Sequence, residues 1–229
     1  MKRAIRVTLA AFFLIFICVG SAIRAQETAS RLEEIEWTWE VRPPQVDAKL
    51  PNVLLLGDSI TRNYFPEVTR QLSGAANVYL MASSTSLGDP RLVRQIEEFS
   101  KAEAVRFSVV HFNNGMHGWA YSEKEYKDAF PALLAEIHAI APKAALIWAT
   151  TTSVKAEKEP GPTNARVVAR NGIAESIVKA AGIPIDDQHG LMVQHPDLYE
   201  DSVHFNEQGA NIQGKQAAAM IRGVLPHAQ

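Results

Sequence analysis

The segment Val53-Leu54-Leu55-Leu56-Gly57-Asp58-Ser59-Ile60 restricts the fold more than any other part of the chain. Four consecutive apolar residues suit a central parallel strand covered on both faces, and Gly57 allows a sharp turn where a side chain would clash. Ser59 then stands at the exposed carboxyl edge of the strand. Open α/β sheets bind ligands at that edge, and the helix that follows aims its N-terminal N–H groups there. Asp58 and Ser59 are also residue types that cap helices, so the segment taken alone admits a structural reading as well as a nucleophile.

From Pro51 onward, short apolar runs alternate with amphipathic ones, the pattern of βα units around a parallel sheet. Five strands are expected, at 53–56, 78–81, 107–112, 145–149 and 183–185. Helices are expected at 64–72, 92–101, 123–140, 164–181 and 207–224, the third announced by Ser122 as N-cap with Glu125 three residues on. The longest loop, Thr150 to Thr163, is rich in Thr, Lys, Glu and Pro, a composition and length that suit a lid or rim. The arm before the sheet, residues 26–51, carries Trp37, Trp39 and the extended Pro43-Pro44 pair, and is expected to wrap the surface with its indoles packed on the core.

The 229 residues, 47% of them hydrophobic, suffice for one substantial core, placed at 52–229. A net charge of -2 with both signs dispersed gives no footprint for nucleic acid or an anionic membrane surface, which leaves small or neutral partners. At the N-terminus, Lys2, Arg3 and Arg6 precede an apolar run and then Gly20, Ser21 and Ala22, the layout of a secretory signal over residues 1–25. Cleavage after Ala22 and cleavage after Ala25 both fit, and an uncleaved anchor with the domain outside the cytoplasm is the alternative. The expected location is therefore secreted or periplasmic, with no membrane contact by the mature domain unless the segment is retained. Cys18 lies within that segment, so a mature chain would have no cysteine and hence no disulfide, thiolate metal site or cysteine nucleophile.

The polar clusters fall at the ends of the expected strands. A serine hydroxyl needs an imidazole to take its proton and a third group to orient the imidazole. Asp201-Ser202-Val203-His204, just before the last helix, places a carboxylate three residues ahead of a histidine and completes a Ser59, His204, Asp201 set. Oxyanion donors are offered by the backbone N–H of Ser59, by Gly88 in the loop after the second strand, and by an asparagine of Asn113-Asn114-Gly115 after the third. Asp186-Asp187-Gln188-His189 repeats the aspartate-histidine spacing and competes for the base. His111 and His117 flank the asparagines without a third ligand at a useful spacing, so no metal is expected. Asn114, Met116, His117 and Trp119 are candidates to border the substrate pocket, although ordinary packing explains Trp119 equally well.

On Gly57-Asp58-Ser59-Ile60 and Asp201-Ser202-Val203-His204, the chain from about Val53 resembles the SGNH hydrolases, also called GDSL-type esterases and lipases. The resemblance implies a three-layer α/β/α sandwich around a five-stranded, mainly parallel, flavodoxin-like sheet. It implies Ser59 as nucleophile, His204 as base, Asp201 as its partner, Gly88 and Asn113 as oxyanion residues, and no cofactor. The family's second block is absent apart from Gly88-Asp89, and its Gly-x-Asn-Asp block is replaced by Phe112-Asn113-Asn114-Gly115; Asn113 is preferred because it precedes the residue that replaces the aspartate. The expected activity is hydrolysis of carboxylic esters, with small acyl groups on carbohydrate favoured. An O-acyltransferase of the same fold and a non-catalytic carbohydrate-binding protein are the alternatives.

Overall fold

The computed structural model describes residues 29–226, so the signal or anchor expectation for 1–25 lies outside the described residues. Six strands form one sheet: β1 (Thr38–Val41), β2 (Asn52–Gly57), β3 (Asn77–Ser83), β4 (Phe107–Phe112), β5 (Ala145–Ala149) and β6 (Ile185–Asp186). Their order is β1-β3-β2-β4-β5-β6, all parallel except β1, which runs antiparallel to β3. The expected five parallel strands are thus joined by a sixth from the N-terminal arm. It escapes a sequence reading because Thr-Trp-Glu-Val is too short to show a period, and only pairing with β3 makes it a strand.

Strand β2 behaves as its run of apolar residues requires. Leu54 and Leu56 point to one face with Tyr79, Val110, Phe112 and Trp148, while Val53 and Leu55 point to the other with Val78, Leu80, Val109 and Ile147. Helices α2 (Arg91–Glu103), α3 (Glu123–Ile140) and α4 (Asn164–Ala180) pack side by side on the first face. Helices α1 (Ser59–Gln71) and α6 (Glu207–Arg222) pack together on the second. A short α5 (Gln188–Met192) and a 3-10 turn at Pro196–Leu198 fill the connection between β6 and α6.

Two element boundaries differ from the sequence expectation. Helix α1 starts at Ser59 rather than near Tyr64, since packing against β2, β3 and α6 overrides the poor helical preference of Ile60 and Thr61 and accommodates Pro66 inside the helix. Strand β6 is displaced to Ile185–Asp186 because Pro184 has no N–H to donate to the ladder; its carbonyl instead accepts from Trp148 N at 3.0 Å. The chain turns back from β3 to β2's other side at β4, so the edge beyond β2 and β4 is the topological switch point of the sheet.

Candidate active site

Gly57 and Asp58 set the position of Ser59. A Cβ on Gly57 would lie 2.1 Å from Thr61 Oγ1, so only glycine lets the first turn of α1 fold back this closely on the end of β2. Asp58 is the N-cap and accepts from Ile60 N at 3.0 Å, which makes Ser59 the first helical residue. The cap and the serine are therefore adjacent residues of one turn.

The imidazole arrives from the far end of the chain. The segment between the Pro196–Leu198 turn and α6 is pinched shut by a bridge between Tyr199 and Phe205, whose rings stack at 4.2 Å, and by Asn206 N donating to Leu198 O at 2.8 Å. Within it, the N–H groups of Val203 and His204 donate to Asp201 Oδ1 at 2.8 and 2.7 Å, and His204 Nδ1 lies 2.7 Å from Asp201 Oδ2. His204 Nε2 then lies 2.7 Å from Ser59 Oγ. Burial works to raise the pKa of Asp201, but the two backbone donors and the imidazole outweigh it and bring the carboxyl down to about 2. A stably ionised Asp201 holds the proton on Nδ1 and leaves Nε2 to accept from the serine.

The loop expected as a lid or rim is hydrogen-bonded to the segment that carries this group. Thr151, Thr152 and Val154 are buried, Lys155 N donates to Ser202 O at 2.8 Å, and Ser153 Oγ meets Tyr199 OH at 2.9 Å. The loop after β5 is a buttress beneath the Asp201–His204 segment.

The two loops expected to supply oxyanion donors are tied to each other by Asn114. Its Oδ1 accepts from Leu87 N at 2.7 Å and its Nδ2 donates one hydrogen to Thr85 O at 3.0 Å, leaving the other without an acceptor among the described residues. Gly88 lies in the braced loop with its N–H likewise without an acceptor among the described residues; a Cβ there would meet the Tyr121 ring at 2.6 Å. Asn113 differs from the expectation. Both of its amide hydrogens are engaged, with Ala149 O at 2.6 Å and Thr151 Oγ1 at 3.0 Å, so the side chain links the ends of β4 and β5 and has no N–H left for an oxyanion.

The segment after the asparagines is held by a buried cation that the sequence reading missed. Arg170 of α4 is 1% exposed and donates to Gly115 O (3.2 Å), His117 O (2.8 Å), Gly118 O (2.9 Å) and Tyr121 O (3.1 Å). Its guanidinium carbon stands 4.1 Å from the centroid of the Trp119 ring. Desolvation lowers its pKa to about 10, which leaves it charged at neutral pH. A signal was present: Val167, Arg170, Ala174 and Val178 form the buried stripe of α4, and an arginine on such a stripe needs buried acceptors. Of the residues expected at the pocket border, Met116 is a buried member of the core cluster that holds α1 and α6, and Trp119 lies against Arg170 and Arg166, because the first side chain finds apolar partners in the core and the second cationic ones on α4.

His117 takes a different place. Its Nδ1 lies 2.8 Å from Glu33 Oε2 and its ring meets the edge of Trp37, both supplied by the N-terminal arm. Burial works against its charge, but the Glu33 hydrogen bond and the fields of Asp58, Glu33 and Glu36 outweigh it and raise its pKa. The arm thus crosses the ends of β3 and β4: Ser84 N donates to Trp37 O at 3.0 Å, and Gly118 N donates to Glu33 Oε1 at 2.8 Å.

The competing aspartate-histidine pair is not assembled. Asp186 is buried against His111, with Oδ2 2.8 Å from Nε2, and accepts from Gln188 and Gln216, while His189 donates its backbone N–H to Thr150 Oγ1 at 2.7 Å. His111, wholly buried on β4, is a structural partner of Asp186. Among the described residues, no group of three or more His, Cys, Asp or Glu side chains clusters to hold a metal ion.

A strand-turn-helix that presents a serine, facing an imidazole from the loop before the last helix of a doubly wound sheet, is the arrangement of a serine hydrolase. The model of the GDSL-like Lipase/Acylhydrolase family matches residues 55–212, well over half of the chain, and the chain belongs to that family of carboxylic ester hydrolases. No curated protein matches the sequence. Among solved structures, a GDSL-like lipase from Bacteroides thetaiotaomicron is similar at TM-score 0.63 and 17% identity, over 78% of this chain and 91% of that one. The lipase/acylhydrolase from Enterococcus faecalis is similar at TM-score 0.62 and 19% identity, over 79% and 100%. A carbohydrate esterase family 3 protein from Talaromyces cellulolyticus is similar at 0.59 and 17%, over 76% and 97%. At these identities the likeness is one of fold.

Proposed function

We propose that the protein is an exported serine esterase that cleaves small acyl groups from carbohydrate through an acyl-enzyme on Ser59. The observation that carries this reading is the relay Ser59 Oγ, His204 Nε2, His204 Nδ1, Asp201 Oδ2, with both links at 2.7 Å. Ser59 and His204 lie 145 residues apart in sequence, so tertiary structure alone brings that pair to hydrogen-bond distance. Ser59 attacks the ester carbonyl as Nε2 takes its proton; the imidazolium, steadied by Asp201, returns the proton to the departing alkoxide. Water then enters by the same route, and the carboxylic acid leaves. The N–H groups of Ser59 and Gly88 and the remaining Nδ2 hydrogen of Asn114 are the donors assigned to the oxyanion. The likeness in fold to the Talaromyces carbohydrate esterase supports the substrate class. Lys2, Arg3 and Arg6 ahead of an apolar run support export.

The direct test is an organophosphonate, which should add one equivalent to Ser59 and abolish turnover of p-nitrophenyl acetate. Adduct on Ser84 or Ser86, with Ser59 untouched, would refute the nucleophile. A panel of esters of increasing acyl length should favour acetyl.

The oxyanion assignment has its own test. Asn114→Ala should lower kcat about a hundredfold or more with little change in KM, because the lost donor acts mainly in the transition state. Asn113→Ala should show chiefly as a stability loss of about 1–3 kcal/mol, since it leaves Ala149 O without its donor. The reverse outcome, with Asn113→Ala inactive at unchanged Tm and Asn114→Ala active, would return the role to Asn113.

A further inference from the structure

Beyond the serine, the imidazole and the oxyanion loops, one row of side chains at the same edge of the sheet has no part in the acyl transfer. Trp37 and Trp39 are two residues apart on an extended segment, which puts both indoles on one side of β1. That side is the one covered by α1, because Trp37 and Val41 pack against the cluster containing Val53, Leu55 and Ile60. Thr38 pairs with Ser83 at the carboxyl end of β3, so Trp37 lies at the active-site edge of the sheet. Arg62 belongs to α1, three residues and about one turn beyond Ser59. Its guanidinium carbon is 5.3 Å from the centroid of a Trp37 ring and 5.2 Å from that of a Trp39 ring. His117 closes the row on the side of the oxyanion loop, its ring centroid 5.9 Å from that of Trp37.

Two features set this row apart from packing. Trp39 keeps 52% of its surface exposed, although an indole is among the side chains that gain most from burial. The guanidinium of Arg62 makes no hydrogen bond or ion pair with any described residue, its backbone N–H alone donating to Asp58 O, whereas the other arginines around these loops are all engaged. Arg31 binds Glu125, Arg91 binds Asp89, Arg166 binds Glu123, and Arg170 binds backbone carbonyls. Of the carboxylates around the row, Glu33 is engaged with His117 and Gly118 and Glu36 with Arg91 and Ser84, while Asp58 is engaged through Oδ1 with Ile60 N and its buried Oδ2 has no partner among the described residues. A guanidinium held against aromatic faces without a hydrogen-bond acceptor keeps its planar fork of N–H donors available, and that fork matches a carboxylate.

We propose that Trp37, Trp39 and Arg62 form the subsite for the alcohol part of the substrate, and that they select a carbohydrate ring bearing a carboxylate. The indoles offer a flat apolar surface to the C–H face of the ring, and Arg62 takes the carboxylate bidentately. The inference rests on the esterase reading, since the ring is the leaving group of the acyl transfer at Ser59.

The test compares an acetylated methyl hexuronoside with the acetylated methyl hexoside of the same configuration, which differ only in the carboxylate. The full-length protein should show kcat/KM about tenfold or more higher for the charged ester, the discrimination expected of a charge-assisted hydrogen-bonded pair. The preference should narrow as salt rises. Arg62→Met should bring the ratio of the two esters close to one. Trp39→Ala should lower both sugar esters relative to p-nitrophenyl acetate. Ratios taken within one variant are unaffected by any loss of folded enzyme. A ratio near one in the unmutated protein, or an undiminished ratio in Arg62→Met, overturns the subsite while turnover of p-nitrophenyl acetate leaves the esterase reading intact. If no ester is turned over, the esterase reading fails. Calorimetric binding of the two sugar esters to Ser59→Ala then makes the same comparison without chemistry, and equal affinities there overturn the subsite.

Discussion

Replacing either Ser59 or His204 by alanine should lower kcat by about four orders of magnitude or more, and the double variant should be little worse than either single one, because the groups act as a unit. Asp201→Asn should also be severe, since the amide neither fixes the tautomer of His204 nor stabilises the imidazolium. His189→Ala should stay near the unmutated activity, as Asp186 is engaged with His111, Gln188 and Gln216. An inactive His189→Ala beside an active His204→Ala would overturn the relay. The pH profile follows from the same geometry. Only the neutral imidazole accepts the serine proton, so kcat/KM should fall on the acid side. Asp201, brought down to about 2, stays ionised throughout that limb. As a carboxylate whose pKa is depressed in the folded protein, it contributes stability that is complete above the ordinary carboxylate range and is lost as pH falls towards 2.

Arg170→Met should be the most damaging substitution outside the relay. It leaves the carbonyls of Gly115 and His117 without their donor and takes one of two donors from those of Gly118 and Tyr121, which keep Tyr121 N and Arg166; unpaired buried polar groups cost about 1–3 kcal/mol each. The expected destabilisation is about 3–5 kcal/mol, the range seen when one side of a buried charged network is removed. Because the pinned segment begins at the residue after Asn114, kcat should fall more than stability alone explains. Arg170→Lys keeps the charge without the fork that reaches several carbonyls, and should fold while losing about tenfold or more in kcat. Added guanidinium should restore part of the activity of Arg170→Ala if the cation positions the loop. Thermal unfolding and kcat measured on the same samples check both effects, and a fully active Arg170→Met would show that the loop holds its shape without it.

The residues near Ser59 and His204 were legible because local chemistry dictates them. An apolar strand ending in Gly57-Asp58-Ser59 admits few structures, and Asp201 and His204 are close enough in sequence to pair within one loop. The alternation of apolar and amphipathic runs likewise determined the parallel α/β layout, since a strand as apolar as 53–56 must be covered on both faces. Tertiary structure decided what depends on partners distant along the chain. Asp186-x-x-His189 has the same spacing as Asp201-x-x-His204, and it is the buried His111 on β4 that draws Asp186 away. Asn113 and Asn114 are the same side chain one residue apart; only the end of β5 and the loop after β3 determine which amide has both hydrogens taken and which keeps one. Strand β1 exists because the edge of β3 offers unpaired backbone groups, and once it docks, the arm that leads into it places Glu33 and Trp37, with Trp39 of the strand itself, at the edge where Ser59 lies. Periodicity reports which face of an element is buried, whereas the hydrogen-bond partner of a polar side chain is set by whatever the fold brings opposite it.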